Sequence, residues 1–240
     1  EYASKGSLRD NLDKAETPLG KDMVSNLVYD VVSGMEYIYS KGVEHRDLKA
    51  DNVLLDDHHG EVIAKVCDFG LAKCEALITH TTSMSKGTGG TLSWKAPEEF
   101  DDAPFNEKCD VYSFAIVIWE IITRETPWRG LQPAKIMMKT LGGKRPPFDE
   151  EVYTKLYGKG LLDVMNMCWD HEPKKRPTFM EAMTLLSGKK KSSTFFDEAI
   201  RERQKEFERE RLREDQRKVE KELRQFELEQ ARQKAKEARE

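Results

Sequence analysis

Cysteine is scarce in this 240-residue chain: Cys67, Cys74, Cys109 and Cys168 lie far apart, with no CxxC pair. That scarcity disfavours a zinc ribbon and a disulfide framework and fits a reducing compartment, so the expected location is cytoplasmic. Long apolar runs are missing too. The most apolar stretch, Phe114 to Ile122, contains Glu120 and reaches only about half of the ~20 residues a bilayer span needs, so no membrane span is expected. Nor does one sign of charge dominate, since 40 Lys and Arg stand against 44 Asp and Glu, a net of −4. Without a basic field, nonspecific nucleic-acid binding is not expected. The first residue is Glu1 rather than Met and no charged-then-apolar leader follows, which reads as a cut rather than a natural start.

What is present is unevenly distributed. Residues 201–240 hold 14 Lys and Arg and 12 Asp and Glu, a far denser mixture than the rest of the chain. The composition breaks at Gly188-Lys-Lys-Lys-Ser-Ser-Thr194, where a helix stop, a cationic run and small polar residues coincide. The expected organisation is a globular body over 1–187, a linker over 188–194 and a charged helical tail over 195–240. The tail has no Pro or Gly and offers spaced pairs such as Glu214/Lys218 and Glu220/Arg224. Leu212, Val219, Leu223 and Phe226 fit alternating four- and three-residue spacing, but the same register puts Lys205, Arg209 and Gln216 on the seam. A solvated single helix and a coil that self-associates or takes a partner helix both remain open.

Within the body, Val24, Leu27, Val28, Val31, Val32, Met35 and Ile38 recur at three- and four-residue spacing, which predicts a helix over 22–41. Asn52-Val-Leu-Leu-Asp56 and Val62-Ile-Ala-Lys-Val66 are short β-branched runs around His58-His-Gly60, the pattern of a hairpin. Asp110 to Thr123 is apolar on nearly all sides, and such a helix belongs in the middle of a core. Helical stretches punctuated by Trp169, Pro177 and Phe179 continue to about 187. The expected fold class is mainly α with a small β-hairpin.

Between the long helix and the hairpin lies His45-Arg-Asp-Leu-Lys-Ala-Asp-Asn52; Asp68-Phe-Gly70 follows the second strand, and Ala96-Pro-Glu98 comes later. Phosphoryl transfer asks a protein mainly for positioning and charge neutralisation: carboxylates for Mg²⁺, a cation for the moving phosphate and an acceptor for the attacking hydroxyl. These motifs supply all three. In order and spacing they resemble the catalytic half of eukaryotic protein kinases, the C-terminal lobe, over about residues 1–187. The resemblance implies that Asp47 orients the substrate hydroxyl, Lys49 steadies the γ-phosphate of ATP, and Asn52 and Asp68 hold Mg²⁺ or alternatively Mn²⁺. It further implies that Arg46 answers a phosphate on the loop that follows, with Thr82, Ser85 or Thr88 as the modified residue and Thr91 bridging Asp47 and Lys49. His45 and Phe69 are then packing residues, Asp110 ties down the catalytic loop, and Glu98 pairs with Arg176. Lys49 and Gly90-Thr-Leu-Ser-Trp94 resemble serine/threonine kinases, and Asp110-Val-Tyr-Ser-Phe114 with Val117-Ile-Trp-Glu120 resembles the tyrosine-kinase-like group. A protein substrate is the implied partner.

Two parts of that family's machinery have no counterpart in residues 1–240. Val62-Ile-Ala-Lys65 lies too close to Asp68 to be the nucleotide-binding strand lysine, and Gly87-Thr-Gly-Gly90 opens no strand, so it is not a phosphate lid. Glu1-Tyr2-Ala3 resembles the hinge between lobes, which implies adenine-facing backbone at Glu1 and Ala3, Ser7 near the ribose and Leu54 on the floor of the site. Residues 1–240 alone are therefore expected to have little transferase activity. A non-catalytic kinase-lobe scaffold with a partner-binding tail is the alternative, and a small-molecule phosphotransferase ranks behind both.

Overall fold

A computed structural model of the chain describes residues 3–58, 60–68, 73–74, 91–101 and 104–187, without the side chains of Lys73, Cys74 and Thr91. The chain divides into two units, Glu1–Lys189 and Lys190–Glu240, and every described residue lies in the first. The expectations for Glu1, Phe69, Thr82, Ser85, Thr88, the Thr91 side chain and the 195–240 tail fall outside the described residues.

The chain begins along the hairpin and turns into helix α1, Leu8–Lys14. Ser7 caps α1 reciprocally: its hydroxyl accepts from the Asp10 N–H, and the Asp10 carboxylate accepts from the Ser7 N–H and hydroxyl. Helix α2, Lys21–Ser40, realises the apolar stripe read from 22–41, with Val24, Leu27, Val28, Val31, Val32 and Met35 buried. Strands β2, Val53–His58, and β3, Glu61–Val66, pair antiparallel from Val53↔Val66 to His58↔Glu61. Gly60 closes this hairpin at φ 88°, where a side chain would be strained. Helix α2 lies close over β3: a Cβ on Gly34 would come 3.1 Å from Val66, and Asp30 accepts the Ala64 N–H at 2.9 Å, which satisfies a donor of β3. A second, minimal sheet pairs β1, Val43–Glu44, with β4, Lys73–Cys74.

Helix α3, Glu107–Thr123, is the core of the body, and every residue from Cys109 to Ile122 is buried. Asn106 caps its start through the Lys108 N–H, and Arg124 ends it in the left-handed region at φ 63°. Helix α4, Pro133–Leu141, packs on the Thr91–Trp94 and Pro97–Phe100 turns, α5, Glu150–Tyr157, packs on α2 and on α6, Lys159–Cys168, and α6 packs on α3 and on α7, Phe179–Ser187. Phe179 at the start of α7 closes the core against Tyr39 and Phe114, with ring centroids 5.3 and 5.9 Å away. Among the described residues no helix is long and apolar enough to cross a membrane.

Candidate active site

The loop from His45 to Asn52 joins β1 to the hairpin, and its shape is imposed from below by α3. Asp110, almost fully buried, accepts the His45 N–H at 2.8 Å, the Arg46 N–H at 2.9 Å and the Tyr39 hydroxyl at 2.6 Å. Burial pushes this carboxyl up while those donors act against it. His45 accepts the Asp47 N–H on Nδ1 at 3.3 Å and lies 3.0 Å from the Cys67 carbonyl through Nε2, so an imidazole carrying its proton on Nε2 satisfies both contacts. The buried ring thus links the loop to the residue preceding Asp68.

Asp47 is the convergence point. Its Oδ2 accepts from Lys49 Nζ at 2.7 Å and from Asn52 Nδ2 at 3.0 Å, and the same amide nitrogen donates to the Asp47 carbonyl at 2.8 Å. Oδ1 is buried and has no partner among the described residues. A buried carboxylate oxygen held in this way is an acceptor that a hydroxyl could satisfy. Asn52 has committed its amide nitrogen to Asp47, so its carbonyl oxygen is the atom left to serve a cation. Asp68 is exposed and sits at φ 62°, and the Cys67 N–H donates to the Asn52 carbonyl at 2.9 Å, so both candidate metal-holding residues lie at one end of the hairpin. Positive φ at Asp68, and at Arg46 (71°), is a conformation that non-glycine residues adopt only when the surroundings enforce it.

This donor set fits Mg²⁺. Among the described residues no three His, Cys, Asp or Glu side chains gather as a self-sufficient metal cage. One carboxylate and one amide oxygen, completed by phosphate oxygens and water, is the way Mg²⁺ is held beside a nucleotide. The neighbouring Cys67 thiol is pushed up by burial and then by the Asp68 charge, so it is not an activated nucleophile.

The other expected residues are placed as follows. The segment carrying Ala3 and Ser7 runs beside β2: the Lys5 N–H donates to the Leu55 carbonyl at 3.1 Å, Leu55 N–H to Gly6 at 2.8 Å, and Ser7 bridges Leu54. The Ser7 hydroxyl is engaged as the α1 cap, a role that the S-x-x-D spacing signals. Arg46 donates to Glu44 at 2.5 and 3.0 Å and lies over the Phe105 ring at 4.8 Å. Glu98 and Arg176 form a bidentate pair at 2.6 and 2.9 Å. Arg176, 2 % exposed, also donates to the carbonyls of Asp170, Lys108 and His171, so all of its N–H groups have partners. Burial raises the Glu98 carboxyl, and the Arg176 bonds more than reverse this, holding it below its usual range.

One residue of the site was not singled out from sequence. Glu120, fully buried in α3, accepts the Ala50 N–H of the catalytic loop at 3.0 Å and Trp94 Nε1 at 2.8 Å on Oε2, while Arg9 Nη1 approaches Oε1 at 3.3 Å. A single carboxylate therefore fixes the catalytic loop, the Thr91–Trp94 turn and α1. Burial pushes it up to about 7. A lone acid in an otherwise apolar helix was the available signal, since such a group must find partners.

A buried aspartate thus ties down the loop that presents Asp47, Lys49 and Asn52 beside an Asp68-bearing hairpin, a carboxylate, cation and amide set of the kind phosphoryl transfer requires. Residues 1–186 match the family model described as protein tyrosine and serine/threonine kinase, and the chain belongs to that family. It is 36 % identical over 204 residues to the serine/threonine/tyrosine-protein kinase HT1 of Arabidopsis thaliana, covering 84 % of this chain and 47 % of that protein. It is 38 % identical over 190 residues to the Arabidopsis serine/threonine-protein kinase CTR1, covering 78 % and 22 %. The Drosophila melanogaster tyrosine kinase receptor Cad96Ca is 34 % identical over 200 residues, covering 78 % and 25 %. The chain spans about half, or less, of the length of these relatives.

Proposed function

We propose that this chain is the catalytic-loop and peptide-positioning half of a serine/threonine kinase of the tyrosine-kinase-like group, which transfers the γ-phosphate of ATP to protein hydroxyls. The observation that carries the reading is the Asp47 carboxylate, with Oδ2 fixed by Lys49 and Asn52 and Oδ1 buried without a partner among the described residues. In this reading Asp47 Oδ1 accepts the hydrogen bond of the incoming hydroxyl and aligns its oxygen for attack. Lys49 carries positive charge to the transferred phosphate, and Asn52 and Asp68 hold Mg²⁺, which neutralises charge on the phosphates. The lysine at position 49 supports serine/threonine over tyrosine as the acceptor.

The glycine-rich lid and strand lysine that such transfer needs have no counterpart in residues 1–240, so the reading assigns them to a source outside these residues. Modification of Thr82, Ser85 or Thr88 belongs to the same reading, with Arg46 as receptor. Incubating the full-length protein with γ-labelled ATP, Mg²⁺ and a degenerate Ser/Thr peptide mixture tests it. Label on Ser or Thr that disappears in Asp47→Asn supports the reading, and label unchanged in that variant overturns it.

A further inference from the structure

At the C-terminal end of α3, a groove of about 640 Å³ opens between the chain following α3 and the residues leading into α5. Its apolar wall is aromatic: Trp119, Trp128, Phe148 and Tyr153 line it, and the Phe148 and Tyr153 rings lie 6.3 Å apart. The wall is held rigidly. Trp119 Nε1 donates to the Pro147 carbonyl at 3.3 Å, and Arg145 donates twice to the Trp169 carbonyl, at 2.8 and 2.6 Å.

Trp128 is unusual in two independent respects. Its backbone sits at φ 58°, a conformation costly for a bulky side chain. Its indole N–H is buried, with the residue 7 % exposed, and has no partner among the described residues. A strained tryptophan holding an unsatisfied donor in a groove wall is a group that a ligand carbonyl or carboxylate would satisfy.

The charge of the groove points to the ligand's sign. Arg129, Lys139 and Lys144 contribute cations, Lys139 lying 5.7 Å over the Trp128 ring, and none of the three pairs with a carboxylate among the described residues. Against them stand Glu125 and Asp149, and Asp149 is engaged in capping α5 through the Val152 N–H at 3.1 Å. Arg145 adds a fourth cation, so the groove is net positive on a chain whose overall charge is −4. We infer that this groove is a docking site for an acidic peptide segment of a partner protein, a bulky aromatic or aliphatic side chain lying against the tryptophans and flanking carboxylates meeting Arg129, Lys139 and Lys144. The inference concerns binding alone and does not depend on the chain's catalytic reading.

The test is panning of a random twelve-residue peptide display library on the 240-residue chain, followed by anisotropy titration of the enriched peptides. The expected result is enrichment of sequences joining Asp or Glu to an aromatic or Leu residue. Their affinity is expected to fall at least tenfold in Lys139→Glu/Lys144→Glu, and about threefold in Trp128→Phe, which keeps a smaller aromatic ring and removes the donor. Thermal melts identical to the parent establish that the variants are folded; should the double charge reversal fail this check, Lys139→Gln/Lys144→Gln takes its place. Enrichment without acidic residues, enriched acidic peptides that bind the charge variants as tightly as the parent, or no enrichment at all overturns the inference. Self-association of the chain that the charge variant abolishes, with no peptide enriched, assigns the face to a second copy and also overturns it.

Discussion

Glu120 and Ala50 are seventy residues apart in the chain and 3.0 Å apart in space, the carboxylate of the central helix accepting the backbone N–H of the catalytic loop. The contact matters because the same oxygen holds Trp94 and the other oxygen faces Arg9, so its removal strands two donors and a buried cation at once. Glu120→Ala is expected to destabilise the body by about 3–5 kcal/mol. Urea unfolding followed by circular dichroism measures this, and a loss below about 1 kcal/mol contradicts the tie.

The same residue gives the body a pH dependence of definite sign. Burial raises Glu120 and Glu99 from an ordinary value of 4.5 to about 7, so the folded chain binds protons that the unfolded chain has released. Stability is therefore fully expressed below about 4.5 and declines as pH rises toward about 7. The carboxylates held below their usual range, among them Glu98 and Glu181, act at more acidic pH and leave this window alone. Unfolding free energies at pH 5 and pH 7.5 check the sign, and Glu99→Gln or Glu120→Gln is expected to flatten the slope.

Arg176 donates every N–H it has, two of its nitrogens clamping Glu98 and the rest of its bonds reaching three backbone carbonyls. Arg176→Ala leaves the partly buried Glu98 carboxylate without its partner and is expected to cost about 3–5 kcal/mol. Arg176→Lys keeps the charge but loses the fork, so it should recover only part of this. Melting curves of the two variants test the order, and equal stability of lysine variant and parent contradicts it.

Much of this fold is legible in the sequence because its periods are clean. The 3.6-residue stripe from Val24 to Ile38 and the β-branched runs on either side of His58 give α2, β2 and β3 to within a residue or two. The all-round apolar run from Asp110 gives α3, although the helix starts three residues earlier because Asn106 is the cap. Helices α4 and α5 carry no comparable stripe, since each spans only two turns or so and Gly142-Gly143 and Pro146-Pro147 interrupt the pattern between them. The pairing of β1 with β4 left no trace either, because two-residue strands are set by tertiary contact rather than by alternation. In the site, the spacing from His45 to Asn52 marks the residues that the structure brings together, Asp47, Lys49 and Asn52. Glu120 stands out as a lone acid in an apolar helix, but its partner Arg9 lies more than a hundred residues away, and no local pattern records that pairing.

Arg46 offers a separate check on regulation. Its guanidinium already meets Glu44 at 2.5 Å, so under the proposed function a phosphate on the following loop would compete with an internal carboxylate. Glu44→Gln is expected to raise the dependence of activity on loop phosphorylation at least threefold, read as the ratio of rates before and after phosphatase treatment of the full-length protein. An unchanged ratio contradicts the competition.

The most direct test of the central claim is phosphoryl transfer from γ-labelled ATP by the full-length protein, compared with its Asp47→Asn and Asp68→Asn variants at equal fold stability. The account predicts label on Ser or Thr in the parent and a fall in kcat of about 10²–10⁴-fold for Asp47→Asn, with a comparable loss for Asp68→Asn that added Mg²⁺ does not restore. Transfer that survives both substitutions would contradict it.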